Sequence, residues 1–323
     1  MKKKAKNIVI WGLGSHAKNN LIPAILDSDQ ITLYGIFSRN SQTVSQISGE
    51  YKCSSWNDSN DMLADPLIDA IILSTPPGLH FDQGMKILAS GKHLWCEKPL
   101  TTNLSETLQL VNFAEKKNLA VCESLMYQYH PQFIELKKMI RKNHLGAISI
   151  IQSNFCLPTL DNPGFRDNQL LGASCLMDVG IYPISLILSL FDNNSIEVVT
   201  SKIIINDELS YDVSGITHLL IDSNINCFLN WSYDTAYTNE VNIWGTKNNL
   251  HSNRIFSKNK EYTPYFEMRD MNGNYSKTEL PSANHFKWML DYFSKVIDSE
   301  EKINQQKSNI LKLATILEKI KVN

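Results

Sequence analysis

The chain has 323 residues, enough for two domains each with its own core, and its 43% apolar and 20% charged residues are an ordinary globular mix. A formal net charge of -2 offers no electrostatic footprint for nucleic acid or for an anionic membrane surface, so neither is expected as a partner.

The first 125 residues alternate strand-like and helix-like segments. Strands are expected at Asn7–Trp11, Thr32–Phe37, Asp69–Ser74, His93–Glu97 and Ala120–Glu123. Helices are expected between them at Ala17–Leu26, Ser41–Ser48, Leu79–Ala89 and Ser105–Lys116. Strands joined by such helices imply right-handed crossovers and a parallel sheet covered on both faces, a Rossmann-type α/β domain over 1–125. From about Met126 the pattern changes to an α+β domain over 126–323. It opens with a helix at Pro131–Lys142, a strand at Ala147–Phe155, a Pro/Gly/Asn-rich loop at Pro158–Gly172 and a helix at Leu176–Phe191. Alternating runs from Ser195 to Glu267 follow, and Ile225, Cys227, Leu229, Trp231 and Tyr233 share one face, the period of a large, mainly antiparallel sheet. Helices at Ala283–Ile297 and Gln305–Ile320 close the chain, the last with an apolar face that docks on something, the first domain being one choice.

Six cysteines (Cys53, Cys96, Cys122, Cys156, Cys175, Cys227) form no C-x-x-C pair, which fits reduced thiols in a cytoplasmic protein. The basic start Met1–Lys4 precedes an apolar run of only Ile8–Trp11, too short for a signal peptide. The run Ile181–Phe191 is interrupted by Pro183, Ser185 and Ser189 and is not read as a membrane span. The eight histidines make no H-x-x-x-H or His/Cys cluster, so no metal is expected.

Gly12-Leu13-Gly14-Ser15-His16-Ala17 follows a strand and opens a helix. The first glycine permits the tight turn, the second lets the backbone approach a pyrophosphate, and small Ala17 lets helix pack on strand. Selective NAD sites keep a carboxylate at the end of the second strand; here that end reads Phe37-Ser38-Arg39-Asn40. A hydroxyl and a guanidinium suit a 2′-phosphate, so NADP(H) is expected over NAD(H). Ser74-Thr75-Pro76-Pro77-Gly78-Leu79-His80 ends the third strand beside the nucleotide crevice. Thr75, Pro76 and His80 are candidate cofactor contacts, with local packing as the alternative for His80. Glu97 and Lys98 end the fourth strand, where a cation can orient a substrate oxygen; a structural ion pair is the alternative. Asp178 and Tyr182 stand four apart, so a helix places both on one face. The alternative is a capping Asp178 and a core Tyr182.

Together these motifs resemble the Gfo/Idh/MocA family, on Gly12 to Ala17, Thr75-Pro76-Pro77, Glu97-Lys98-Pro99, Leu125 to Pro131 and Asp178-x-Gly180-x-Tyr182-Pro183. The resemblance implies a Rossmann domain followed by an α+β domain whose open sheet serves oligomerisation. It also implies that Lys98 and Tyr182 flank the reacting carbon above the nicotinamide. Tyrosine at 182, the run Tyr237–Thr246 and Arg254-Ile255-Phe256 look like members acting on nucleotide-linked sugars, and Tyr182 is also similar to dihydrodiol dehydrogenase-like members. Ala173-Ser174 after Gly172 departs from relatives that carry more glycines.

The expected protein is an NADP(H)-dependent oxidoreductase interconverting a hydroxyl and a ketone on a sugar or nucleotide-linked sugar. Lys98, Tyr182 and Asp178 are the candidate catalytic residues, and Tyr127 and Arg166 the further substrate contacts. Alternatives are a polyol or dihydrodiol dehydrogenase and a non-catalytic nucleotide-sensing regulator. The runs between Ser201 and Trp244 look apolar on both faces, so a homodimer or homotetramer is expected through that sheet.

Overall fold

The computed structural model describes residues 5–159, 161, 163–206, 208 and 210–322; the basic start at 1–4 and residues 160 and 162 of the expected loop lie outside them. The chain divides into two compact units, Met1–Ser124 with Phe286–Leu311, and Leu125–His285 with Lys312–Asn323.

The first unit contains β1 (Lys6–Trp11), α1 (Ile22–Leu26), β2 (Ile31–Phe37), α2 (Ser41–Tyr51), β3 (Ser54–Ser55), α3 (Ser59–Ala64), β4 (Ala70–Leu73), α4 (His80–Ala89), β5 (His93–Glu97), α5 (Leu104–Lys116) and β6 (Val121–Ser124). Its six strands pair in the order β3-β2-β1-β4-β5-β6, every pair parallel. A parallel sheet buries both faces, which is why its central strands are unbroken apolar runs. Ile8-Val9-Ile10, Ile71-Ile72-Leu73 and Leu94-Trp95-Cys96 are each no more than 1% exposed. Each large side chain so buried contributes roughly 1.5–3 kcal/mol.

Two short elements, β3 and α3, are not among the expected ones, being too short to set up a period. Asp58 starts α3 by accepting the Asn60 N–H at 2.6 Å. The helix expected from Ala17 is a π-helical turn at Ala17–Leu21 that continues as α1.

The second unit contains α6 (Pro131–Arg141), β7 (Ile148–Cys156), α7 (Ile181–Leu190), β8 (Ile196–Asn206), β9 (Tyr211–Ile221), β10 (Ile225–Ser232), β11 (Thr238–Gly245), β12 (Asn248–Asn253), β13 (Tyr265–Asp270) and β14 (Tyr275–Glu279). Eight strands form one sheet in the order β14-β13-β12-β11-β7-β10-β9-β8, antiparallel except where β10 runs parallel to β7. The exposed edge strand β14 lies beyond the expected run of strands.

One face of this sheet is dry. Ile151, Phe155, Leu219, Cys227, Leu229, Trp231, Val241 and Ile243 are buried on it, and α7 packs against its strands β7 and β10. The stretch Gln169–Leu190 is long and apolar enough to cross a membrane, yet 78% of its most apolar window is buried inside the protein, as befits the core helix α7. A π-helical turn at Leu176–Gly180 leads into α7. Gly180 lies flat on the Trp231 indole, where a Cβ would come within 2.8 Å of the ring. The outer face is mixed rather than apolar throughout. Exposed Ile150, Ile216 and Phe228 alternate across it with Asn154, Asn226 and Asn230, whose amides bond across strands.

Two helices, α8 (His285–Val296) and α9 (Glu300–Val322), end the chain. The expected division gave 126–323 to the second domain, with the first domain as one choice for docking of the final helix; Phe286–Leu311 clusters with the first unit. The cause is burial: Phe293 of α8 packs on Trp95 of β5 at 5.4 Å, and Ile310 of α9 joins the apolar core of the parallel sheet.

Candidate active site

Because the strands of the first unit are parallel, the loops after β1, β2, β4 and β5 leave the sheet at one end, where ligands of such folds bind. Gly12 has φ 108, and a Cβ there would fall 2.4 Å from the Ser74 carbonyl oxygen. Only glycine fits, and the protein's own backbone requires it. A Cβ on Gly14 would meet nothing within 4 Å, so the backbone at Gly14 and Ser15 is bare to solvent. That bare turn, with buried Ala17 beneath it and exposed Arg39 just past β2, fits a dinucleotide with a 2′-phosphate.

Polar pairs hold the neighbouring loops. His16 of the glycine turn meets Glu97, Nε2 to Oε1 at 3.1 Å. Burial opposes the Glu97 charge, but His16 and Lys98 outweigh it and hold the carboxyl below its usual range. Of the two readings open for His80, a cofactor contact or local packing, its surroundings favour local packing. His80 is 1% exposed, and its ring nitrogens face the carbonyls of Pro99 and Thr75, each at 2.8 Å. It therefore clamps the loop after β4 to the loop after β5. Thr75 donates to Gln83 at 2.6 Å, a partner the sequence did not announce.

Half-buried Lys98 follows β5, and Leu100 donates its N–H to Oε1 of Glu123 on β6 at 2.7 Å. Burial pushes the Glu123 carboxyl up to about 7, against the pull of that N–H and of the Lys98 charge. Glu123 is a supporting group absent from the expected site, since it sits inside a strand whose sequence reads only as core.

In the second unit, the loop before α7, the end of β10 and the start of α7 meet at one carboxylate. The Asp178 side chain is 3% exposed and accepts two bonds from Arg166, Nε to Oδ2 at 2.6 Å and Nη2 to Oδ1 at 3.3 Å. Tyr233, the residue after β10, donates its hydroxyl to Oδ2 at 3.0 Å. Burial and the Asp178 charge raise the Tyr233 pKa, so it keeps its proton and stays a donor. Arg166, a candidate substrate contact, holds Asp178 with its guanidinium and stays partly exposed. Tyr233 was legible only as one member of an apolar face.

One turn further on, Tyr182 is 6% exposed and boxed by Phe155 at 5.2 Å, Phe256 at 5.7 Å and Tyr127 at 6.0 Å. Its hydroxyl reaches the Met126 sulfur at 3.6 Å. Tyr127, expected at the substrate, is instead fully buried behind Tyr182 with its hydroxyl 2.8 Å from Ser185 Oγ. It shapes the wall and does not line the surface.

Residues 6–124 match the profile of an oxidoreductase family with an NAD-binding Rossmann fold, and 133–251 match the GFO/IDH/MocA C-terminal domain. The chain belongs to the Gfo/Idh/MocA oxidoreductase family. Among similar members, a dTDP-3,4-didehydro-2,6-dideoxy-alpha-D-glucose 3-reductase of Saccharopolyspora spinosa is 24% identical over 91% of this chain and 88% of its own length. An NADP(+)-dependent scyllo-inositol 2-dehydrogenase of Bacillus subtilis is 25% identical over 54% of this chain and 55% of its own. The fold also matches KijD10, a 3-ketoreductase from Actinomadura kijaniata solved with NADP and TDP-benzene. That structure has a TM-score of 0.93 at 22% identity, covering 99% of this chain and 98% of that one.

Replacing Arg166 with Met strips the guanidinium from a buried carboxylate and is expected to cost on the order of 3 kcal/mol in urea unfolding. Adding Asp178→Asn should recover most of that loss, because no charge is then left buried. Equal stability of the single and double variants would contradict the role given to this pair.

Proposed function

We propose that the protein is an NADP(H)-dependent oxidoreductase that interconverts a hydroxyl and a ketone on a sugar or nucleotide-linked sugar. One observation carries this reading. Arg166 and Tyr233 hold the Asp178 carboxylate, so in the Asp178–Tyr182 motif the phenol of Tyr182 is the group suited to move a proton. The names of similar proteins, sugar ketoreductases and sugar or inositol dehydrogenases, support the substrate class. The bare glycine turn and exposed Arg39 support the cofactor, as do the NADP-dependent names among them.

A nicotinamide cofactor held at the glycine turn and Arg39 would supply the hydride chemistry. In the reductive direction Tyr182 gives its proton to the carbonyl oxygen as the carbon is reduced, then regains one from solvent. Lys98 supplies the positive charge that favours the phenolate so formed and the developing alkoxide. Asp178 is a positioning residue, acting through the turn that presents Tyr182. All six cysteines are free, which supports a reducing, cytoplasmic setting.

Tyr182→Phe keeps the ring and removes the donor, so folding and NADPH binding should survive while turnover of a keto-sugar falls roughly 10²–10⁴-fold. Lys98→Ala should fall as far, and the double variant much less than the product of the two, because residues acting as a unit are not additive. Near-normal turnover in folded Tyr182→Phe would end the mechanism.

Arg39→Ala should weaken NADPH by about 1.5–3 kcal/mol, the worth of one charge-assisted phosphate contact, and leave NADH nearly unchanged. Titration by fluorescence reads this directly. Wild-type protein that binds the two cofactors equally would refute the preference.

The chain is further proposed to form a homodimer or homotetramer through the outer face of the large sheet, where Ile150, Ile216 and Phe228 are 38%, 44% and 38% exposed. Sedimentation at micromolar concentration should give an oligomer that Ile216→Lys with Phe228→Asp converts to monomer. A monomeric wild type rejects the assembly.

A further inference from the structure

Arg254 follows β12 with φ 46, in the left-handed region that a long side chain adopts only where its surroundings impose it. Its exposed guanidinium lies over the Tyr237 ring at 5.4 Å and over the Tyr262 ring at 5.5 Å. Among the described residues no carboxylate pairs with it. In the same unit, Arg141 is bound to Asp192 and Arg166 to Asp178.

The setting is built around Asn239, which is 4% exposed. Its backbone carbonyl accepts the Arg254 N–H, its side-chain oxygen accepts the Phe256 N–H at 3.0 Å, and its amide donates to the Tyr237 hydroxyl at 2.9 Å. Tyr262 is fixed by a hydroxyl bond to Asn253. The cation is thus held by two aromatic faces, and neither face consumes its N–H donors.

The same aromatic wall carries the proposed proton donor. Tyr237 meets Phe155 at 6.5 Å, Phe155 meets Tyr182 at 5.2 Å, and Phe256, two residues beyond Arg254, meets Tyr182 at 5.7 Å. A fixed planar guanidinium matches phosphate oxygens bidentately. Tyr237, 41% exposed, offers aromatic surface beside that cation for a base.

We propose that Arg254, clamped by Tyr237 and Tyr262, anchors the diphosphate of a nucleoside diphosphate-linked sugar whose keto group is served by Tyr182. This rests on the keto-sugar chemistry proposed above and adds the handle by which the substrate is held.

Calorimetric titration with dTDP and UDP, which need no turnover, tests it. Wild-type protein should bind at least one of them, and Arg254→Ala should weaken that binding at least tenfold with NADPH affinity and melting temperature unchanged. Arg254→Lys, which keeps the charge and loses the fork, should fall between, and it serves as the test if the alanine variant fails to fold. With a nucleotide-linked keto-sugar the alanine variant should raise KM and leave kcat nearly unchanged, while a free keto-sugar shows no change. Absent binding of both nucleotides at millimolar concentration, or binding unaffected by either substitution, overturns the proposal. Inorganic phosphate or a sugar 1-phosphate competing as well as the nucleotide overturns the nucleoside assignment. In each of those cases NADPH binding and reduction of free keto-sugars by the wild type still judge the oxidoreductase reading separately.

Discussion

A carboxylate buried to 3% exposure imposes more on this fold than any other group near Tyr182. A fork of two N–H donors and a phenol meet Asp178 there, and those come from a loop and from a distant strand end. Satisfying one charge therefore ties the loop of Arg166, the end of β10 and the turn before α7 to a common point. Gly180 adds a steric requirement: with no side chain of its own, the turn rests directly on Trp231 of β10. Tyr182 inherits its position from both constraints and from the rings of Phe155, Phe256 and Tyr127 around it.

The first unit applies the same physics to its loops. An imidazole, two carboxylates and several backbone carbonyls are withdrawn from water at the carboxyl end of the parallel sheet, and each finds a partner on another loop. His80 joins the loops after β4 and β5, His16 joins the glycine turn to Glu97, and Glu123 receives the N–H of Leu100. Low-dielectric surroundings make such bonds expensive to leave unmade, so the loop carrying Lys98 is set by buried partners rather than by its own turn preferences. Glu123 records the cost, its carboxyl lying at about 7 despite a hydrogen bond and a neighbouring cation.

Most of the architecture is legible in the amino-acid sequence, because its signals are local. The unbroken apolar runs at Ile8–Ile10 and Leu94–Cys96 can be satisfied only by a strand covered on both faces, and the strict alternation of Ile225 to Tyr233 only by a strand covered on one. Elements below the length of a period, β3 and α3, carry no such signal. The return of Phe286–Leu311 to the first unit is only half legible, since an amphipathic helix announces an apolar face that must dock but does not single out the surface that receives it.

The candidate site divides along the same line. Sequence alone determined the glycine turn, the missing carboxylate after β2, the place of Lys98 at a strand end and the pairing of Asp178 with Tyr182 in one motif, because each depends on neighbours in the chain. Only the tertiary structure decided what surrounds those side chains. It buried His80 and Tyr127 among other side chains, turned Arg166 onto Asp178, and brought in Tyr233 and Glu123 from positions that read as core. The physical reason is that hydrogen bonds and burial act between residues brought together by sheet register and packing, and no spacing along the chain encodes that meeting.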